Sequence, residues 1–270
     1  DISLLSLALG LSYAFHDVFY VNNGMGSLFD GLLEDINIHK KEQILKIKKE
    51  EEFYRIISNK NEYKAKQVIL NSSIYNSSAL FDDEKIKKYY DSFSFSDQSA
   101  FVINLTLDSK KDFLHHYQII LDKNIPNAIS QSFFISISAK DDKTLSKNGY
   151  SITISTHTKA TLWENLSKDE YKKQKQITED FIINSFLENF EEVRKEDIID
   201  IDSATSNTFK KYINRYNCGG KAITFKNILQ TPSCRTPFKD LYNVGDSIFA
   251  GQGWLGVAIG VEVLIREING

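Results

Sequence analysis

Cysteine is nearly missing from this sequence: only Cys218 and Cys234 occur, sixteen positions apart. That number and spacing fit neither a disulfide framework nor a paired zinc knuckle, so the two are read as reduced, intracellular thiols. Histidine is sparse as well. His16, His39, His115, His116 and His157 show no spacing such as His-x-x-x-His, and neighbours such as His115 and His116 point to opposite faces of a strand, so no metal site is expected. An excess of one charge is also lacking. The 33 basic and 36 acidic residues are mixed along the chain for a net charge of -3, which leaves no basic patch to draw phosphate backbones and argues against a nucleic-acid partner. A membrane-spanning run is absent too: the apolar stretch Ile2 to Phe15 falls below the roughly 20 residues a spanning helix needs, and it has no basic leader of a signal peptide. A chain that opens on Asp1 and enters such a stretch at once is expected to have an N-terminal part elsewhere.

What remains is ordinary globular composition, 41% hydrophobic and 26% charged over 270 residues, enough for one large or two ordinary domains. Leu4, Leu7, Leu11 and Phe15 recur at helical spacing and predict a buried helix over 2–15, followed by an extended stretch at 17–21. Asn22-Asn-Gly-Met-Gly26 predicts a turn, with Ser27 as cap of a short helix through Leu33. Gln43–Ile47 and Phe53–Ile57 read as a hairpin, and Val68-Ile-Leu70 as a strand buried on both faces, such as belongs to a covered α/β sheet.

Between about 82 and 215 the character changes. Phe101–Leu107, Ser132–Ser138 and Tyr150–Thr156 alternate with period two and predict one sheet with one buried face. Ser167-Lys-Asp-Glu170 is a capping box, and Ile177, Phe181, Ile182, Phe186 and Phe190 behind it form an apolar stripe on a helix from 168 to about 190. After Asn217 come Gly219-Gly220, Pro232, Pro237 and a glycine-rich run, which mark a return to the first domain.

That run, Leu241-Tyr-Asn-Val-Gly-Asp-Ser-Ile-Phe-Ala-Gly-Gln-Gly-Trp-Leu-Gly256 with its extension to Gly260, carries the chemistry. Leu241 to Val244 is a short strand, and Gly245-Asp246 ends it where strand C-termini in open α/β sheets meet their ligands. Asp246 is suited to accept hydrogen bonds from sugar-like hydroxyls. Glycines at 251, 253 and 256 let backbone approach a flat ligand before an apolar helix from about Trp254 to Arg266, whose positive end would face that ligand. Read alone, Gly251-Gln-Gly253-Trp-Leu-Gly256 matches a dinucleotide fingerprint. The fingerprint requires a second strand and an acidic residue about 20 positions on, and the sequence ends too soon after Gly256 to hold them.

The longer pattern resembles the C-terminal segment of the phytoene desaturase and carotenoid isomerase family, which shares its flavin fold with amine oxidases. The resemblance implies FAD as cofactor, with Gly245 and Asp246 beside its ribityl and phosphate chain and with Ser247 and Gln252 also among the cofactor-binding residues. It implies Gly253, Trp254, Leu255 and Gly256 at the pyrimidine end of the isoalloxazine, where partial positive charge would favour hydride acceptance. Tyr20-Val-Asn-Asn-Gly-Met-Gly-Ser-Leu28 is similar to the family's Gly-Gly-Met segment, so Gly24, Met25 and Gly26 are expected on the flavin's substrate side, with Asn23 in place of the first glycine. Ile44–Asn71 looks like the family's hairpin and following strand, with Ile44 near the adenine. Ser155–Thr158, Trp163 and Tyr171–Lys175 are similar to the branch acting on polyenes.

The expected fold is therefore mixed α/β: an incomplete Rossmann-like FAD domain with an inserted sheet domain. Residues 1–19 would be a helix of the substrate or cap region, 20–81 and 216–270 parts of the FAD domain, and 82–215 the substrate domain. The dinucleotide fingerprint would lie N-terminal to everything present, so this chain alone is expected to hold FAD weakly and to be inactive. The expected activity is desaturation, saturation or isomerisation of an apolar, carotenoid-like polyene held in a tunnel between the inserted sheet and the flavin, with no acid or base residue nominated. Amine oxidation and non-catalytic lipid or polyene binding stay open. The expected location is cytoplasmic, with peripheral contact at the inner membrane surface left open by the apolar substrate class.

Overall fold

The computed structural model describes residues 20–94, 97–147, 149–216, 232–251 and 253–270. The helix expected over 2–15 and the candidate Gln252 lie outside the described residues. In chain order the elements are α1 (Gly24–Leu32), β1 (Ile44–Lys49), β2 (Tyr54–Ser58), β3 (Glu62–Ala65), β4 (Val68–Leu70), a 3-10 segment (Ile74–Leu80), α2 (Glu84–Asp91), β5 (Gln98–Leu107), β6 (His116–Ile120), β7 (Ser132–Ile137), β8 (Tyr150–Lys159), α3 (Lys168–Asn189), β9 (Ile198–Ala204), α4 (Ser206–Ile213), β10 (Leu241–Asn243) and α5 (Trp254–Asn269).

These elements fall into two compact units, one of residues 1–17, 37–96 and 218–270, the other of 18–36 and 97–217. Residues 20–36 therefore group with the inserted sheet and 82–96 with the first unit, the reverse of the sequence expectation. Hydrogen bonds explain both shifts. Tyr20 and Asn23 bond to Asp142, while Tyr90 of α2 bonds to Asn243 of β10.

In the first unit the expected hairpin is present, β1 pairing antiparallel with β2, and β3 adds a third antiparallel strand. β4 pairs in parallel with β10, Leu241 opposite Val68 and Asn243 opposite Leu70. β4 is not buried on both faces: Val68 and Leu70 point into the core, and Ile69 is 47% exposed. Ile47, Tyr54, Phe81, Ile86, Tyr90, Leu241, Ile248 and Leu264 join Val68 and Leu70 in one apolar cluster. At α2 the Asp83 carboxylate accepts from the Lys85 and Ile86 N–H groups, satisfying donors that a helix start leaves open.

The second unit is built on a five-stranded antiparallel sheet in the order β6-β7-β8-β5-β9. The three expected strands are its centre; β6 and β9, which alternate too weakly to be read from sequence, are its edges. Phe101, Ile103, Leu105, Phe133, Ile135, Ile152 and Ile154 form the buried face against Ile182, Ile183 and Phe186 of α3. The capping box is made as expected, the Glu170 N–H donating to Ser167 Oγ and the Ser167 N–H to Glu170. Ile177 is not part of the stripe: it is 40% exposed, and Thr178 takes the inward position. A threonine is tolerated there because its hydroxyl is satisfied by the carbonyls of Pro126 and Gln174 at 3.1 and 3.0 Å and by Asn127 Nδ2 at 3.0 Å.

Candidate functional site

The terminal run folds as expected up to its turn. β10 ends at Asn243, and the Val244 N–H donates to the Leu70 carbonyl at 2.8 Å, so the chain leaves β10 beside the chain leaving β4. These are the carboxyl ends of two parallel strands, the place where open α/β sheets bind ligands. Gly245 has φ 118°, and a β-carbon on it would stand 2.8 Å from Asn71 Oδ1. Only glycine fits both the backbone angle and the gap. Asp246 follows, partly exposed at the strand ends.

Ser247 is less accessible than Asp246. It is buried, and its hydroxyl accepts from the Ile74 N–H at 3.4 Å, which ties the turn to the segment after β4. The sequence pointed to Gly245–Ser247 and missed Asn71, which becomes adjacent only through the β4–β10 pairing. Its position just past a short apolar strand is the one signal that could have found it.

Beyond Ser247 the turn closes through Ile248 N–H to the Gly245 carbonyl (3.2 Å) and Phe249 N–H to the Pro232 carbonyl (2.8 Å). Two kinds of glycine then separate. Gly256 and Gly260 are buried with Leu264 in a single stripe of α5, and β-carbons on them would meet the Gly251 carbonyl oxygen at 2.7 Å and the Phe249 carbonyl oxygen at 3.0 Å. Gly256 thus packs the helix onto its own turn. Gly251 and Gly253 have positive φ, and among the described residues no atom lies within 4 Å of a β-carbon added at either, so neither is packed in the way Gly256 is. Gly253 is the N-cap of α5 and supplies no side-chain oxygen to the helix's first N–H groups. Trp254 and Leu255, 55% and 38% exposed, flank that end. Ile44 opens β1 and packs, half-buried, against the first unit's apolar cluster.

Gly24, Met25 and Gly26 belong to the second unit and the residues above to the first. Asn23 takes φ 64°, the left-handed conformation that glycine provides and asparagine tolerates, which accounts for its presence there. The helix starts at Gly24, so Ser27 is not its cap. Ser27 Oγ instead donates to the Asn22 and Gly24 carbonyls at 2.9 and 2.8 Å. Met25 is 50% exposed. Trp163, from the segment similar to the polyene-acting branch, is a core residue whose Nε1 donates to Thr158 Oγ1 at 3.0 Å. Among the described residues no cluster of His, Cys, Asp and Glu is placed to hold a metal ion, and no helix is long and apolar enough to cross a membrane.

This mixed α/β fold, with a parallel strand pair, a glycine turn into a last helix and an antiparallel sheet unit, is shared with solved isomerase and oxidase structures. A fatty acid isomerase from P. acnes superimposes with a TM-score of 0.56 at 13% identity over 97% of this chain and 56% of its own. Wild-type putrescine oxidase bound to putrescine does so with a TM-score of 0.55 at 11% identity over 92% and 54%. No family model matches the chain. In sequence it is similar to the chloroplastic prolycopene isomerase of Daucus carota, 27% identical over 218 residues, 75% of this chain and 35% of that protein. This agrees with the resemblance read from Leu241 to Gly260, that of part of a carotenoid isomerase- or desaturase-like flavoprotein. The chain spans about a third of that relative's length.

Proposed function

We propose that this chain is the C-terminal part of an FAD-dependent oxidoreductase that desaturates, saturates or isomerises a carotenoid-like polyene. The observation that carries the reading is the turn from Gly245 to Gly256, packed tightly at Gly245 and Gly256 and, among the described residues, uncontacted at Gly251 and Gly253. Its residues fit a flat cofactor with a polyol chain: a β-carbon at Gly251 or Gly253 would meet none of the described residues within 4 Å, and Asp246 stands at the paired strand ends. When bound, FAD supplies hydride acceptance and return.

The work of the chain's own residues is positioning. Asp246 would accept hydrogen bonds from the ribityl hydroxyls, while Gly253, Trp254 and Leu255 would place the N-terminal end of α5, with its partial positive charge, against the pyrimidine edge. Gly256 fixes that end by packing on Gly251. Gln252 and Ile44 complete the proposed cofactor set of this unit, and Gly24, Met25 and Gly26, which belong to the other unit, are proposed on the resemblance alone. No side chain is assigned as acid or base, since hydride transfer to a flavin requires none from the protein.

The polyene class is supported by the likeness to prolycopene isomerase. It is tested by incubating the flavin-loaded full-length protein with carotenoid-like polyenes and with amines, and identifying products by spectrum and mass. A changed polyene is the expected result. Amine turnover with the polyenes unchanged would replace the substrate class and leave the cofactor reading in place.

A further inference from the structure

Asn71 is the first residue past β4. It stands level with Val244 of the chain leaving β10, because Asn243 pairs with Leu70 and the Val244 N–H donates to the Leu70 carbonyl at 2.8 Å. Both strand ends belong to the same compact unit. A β-carbon on Gly245 would meet Asn71 Oδ1 at 2.8 Å and the Asn71 carbonyl oxygen at 3.9 Å, so the Asn71 side chain lies along the backbone that leads into Asp246. The missing side chain at Gly245 is what admits the amide there.

The backbone that carries this amide is held on both sides. β4 fixes it from before, through its pairing with β10. From after, the Ile74 N–H donates to Ser247 Oγ at 3.4 Å, Ser72 Oγ and Ser77 Oγ lie 3.0 Å apart, and Ser77 Oγ donates to the Ser73 carbonyl at 3.1 Å. An asparagine in a turn ordinarily commits its side chain to the local backbone. Asn71 does not: it is exposed, and among the described residues its side-chain amide makes no hydrogen bond. Two N–H donors therefore sit on a fixed segment beside Gly245-Asp246, with the amide oxygen turned to the glycine.

The chemistry of the pair selects a ligand group. A carboxylate accepts hydrogen bonds, and the nitrogen of a primary amide donates them. A hydroxyl placed between the two gives its proton to Asp246 and accepts from Asn71 Nδ2, whereas a phosphate suits the amide but is repelled by the carboxylate. We infer that Asn71 is a further cofactor-binding residue, donating from Nδ2 to the ribityl hydroxyl whose proton Asp246 accepts. The inference rests on the flavin reading of the Gly245–Gly256 turn, and it adds the end of β4 as the donor side of that site.

The test titrates the flavin-free full-length protein with FAD and reads the dissociation constant from quenching of flavin fluorescence. Wild type, Asn71→Ala, Asn71→Asp, Asp246→Ala and the Asn71→Ala/Asp246→Ala double variant are compared, with the Tm of each flavin-free form. Asn71→Ala is expected to weaken FAD binding roughly fivefold, the scale of one neutral hydrogen bond. Asn71→Asp keeps the shape and the oxygen beside Gly245, loses both donors and sets a second carboxylate beside Asp246, so it should weaken binding more than alanine does. A residue that served only to pack against Gly245 would tolerate that change, and wild-type affinity in Asn71→Asp overturns the inference. Because Asn71 and Asp246 act on one hydroxyl, the double variant should lose less than the product of the two single losses. A loss equal to that product overturns the shared hydroxyl. Should Asn71→Ala fail to fold, Asn71→Asp with and without Asp246→Ala carries the same comparison. A wild-type protein that takes up no FAD fails the underlying reading instead, and is recognised before any variant is made.

Discussion

Gly245 shows how a single residue joins two strands into a site. Its α-carbon lies where a methyl group would meet Asn71 Oδ1 at 2.8 Å, at a φ of 118° that other residues rarely adopt. Gly245→Ala is therefore expected to cost about 1–3 kcal/mol, read as a lowered Tm; an unchanged Tm would mean that the gap is not filled as described. Asp142 makes a second prediction, in pH. Hydrogen bonds from Thr144 and Tyr20, and then from the Asn23 N–H, lower its pKa from an ordinary 3.8 to about 2. A carboxylate whose folded pKa is depressed stabilises above its unfolded value and loses that stabilisation as pH falls through the folded one. Exchange protection of the Asn23 amide should thus be full above about pH 4 and fade toward pH 2, and in Asp142→Asn that fading should be absent. At this scale the sequence was partly legible. Gly245 and Asp246 stood out by their motif, whereas Ser247 turned inward and Asp142 was invisible because its partners are distant in the chain.

Among the elements, legibility followed apolar alternation. The centre of the sheet unit, β5, β7 and β8, alternates strongly because one face is buried beneath α3, and the sequence showed it. The edge strands β6 and β9 and the short β3 are partly or mostly exposed along their length, so their residues carry little of the pattern that burial imposes. α3 itself was legible in extent and start, and misread at one position. Ile177 extended the apparent stripe by spacing, but Thr178 is the inward residue, and no hydrophobic count finds a threonine satisfied by backbone carbonyls. The two faces predict different costs: Ile182→Ala should destabilise by about 2–5 kcal/mol, while Ile177→Ala should stay within about 0.5 kcal/mol in denaturant unfolding. Equal costs would mean that α3 is rotated from the orientation described.

For the whole molecule, the division into two units changes how the sequence is partitioned. Composition placed boundaries near 20, 82 and 216, while hydrogen bonding and packing move the first segment to the sheet unit and α2 to the other. Composition cannot register such exchanges, since a Tyr–Asp bond spanning 122 positions leaves no local trace.

The account's central claim is that the turn from Gly245 to Gly256 is the flavin end of a cofactor site, and flavin retention tests it most directly. The full-length protein, purified and supplied with FAD, should show the visible absorbance of a bound flavin, and Asp246→Ala should reduce FAD affinity roughly tenfold, the scale of one lost hydrogen bond to a charged group. A wild-type protein that stays colourless in the presence of FAD, or an Asp246→Ala variant with full flavin occupancy and unchanged affinity, would contradict it.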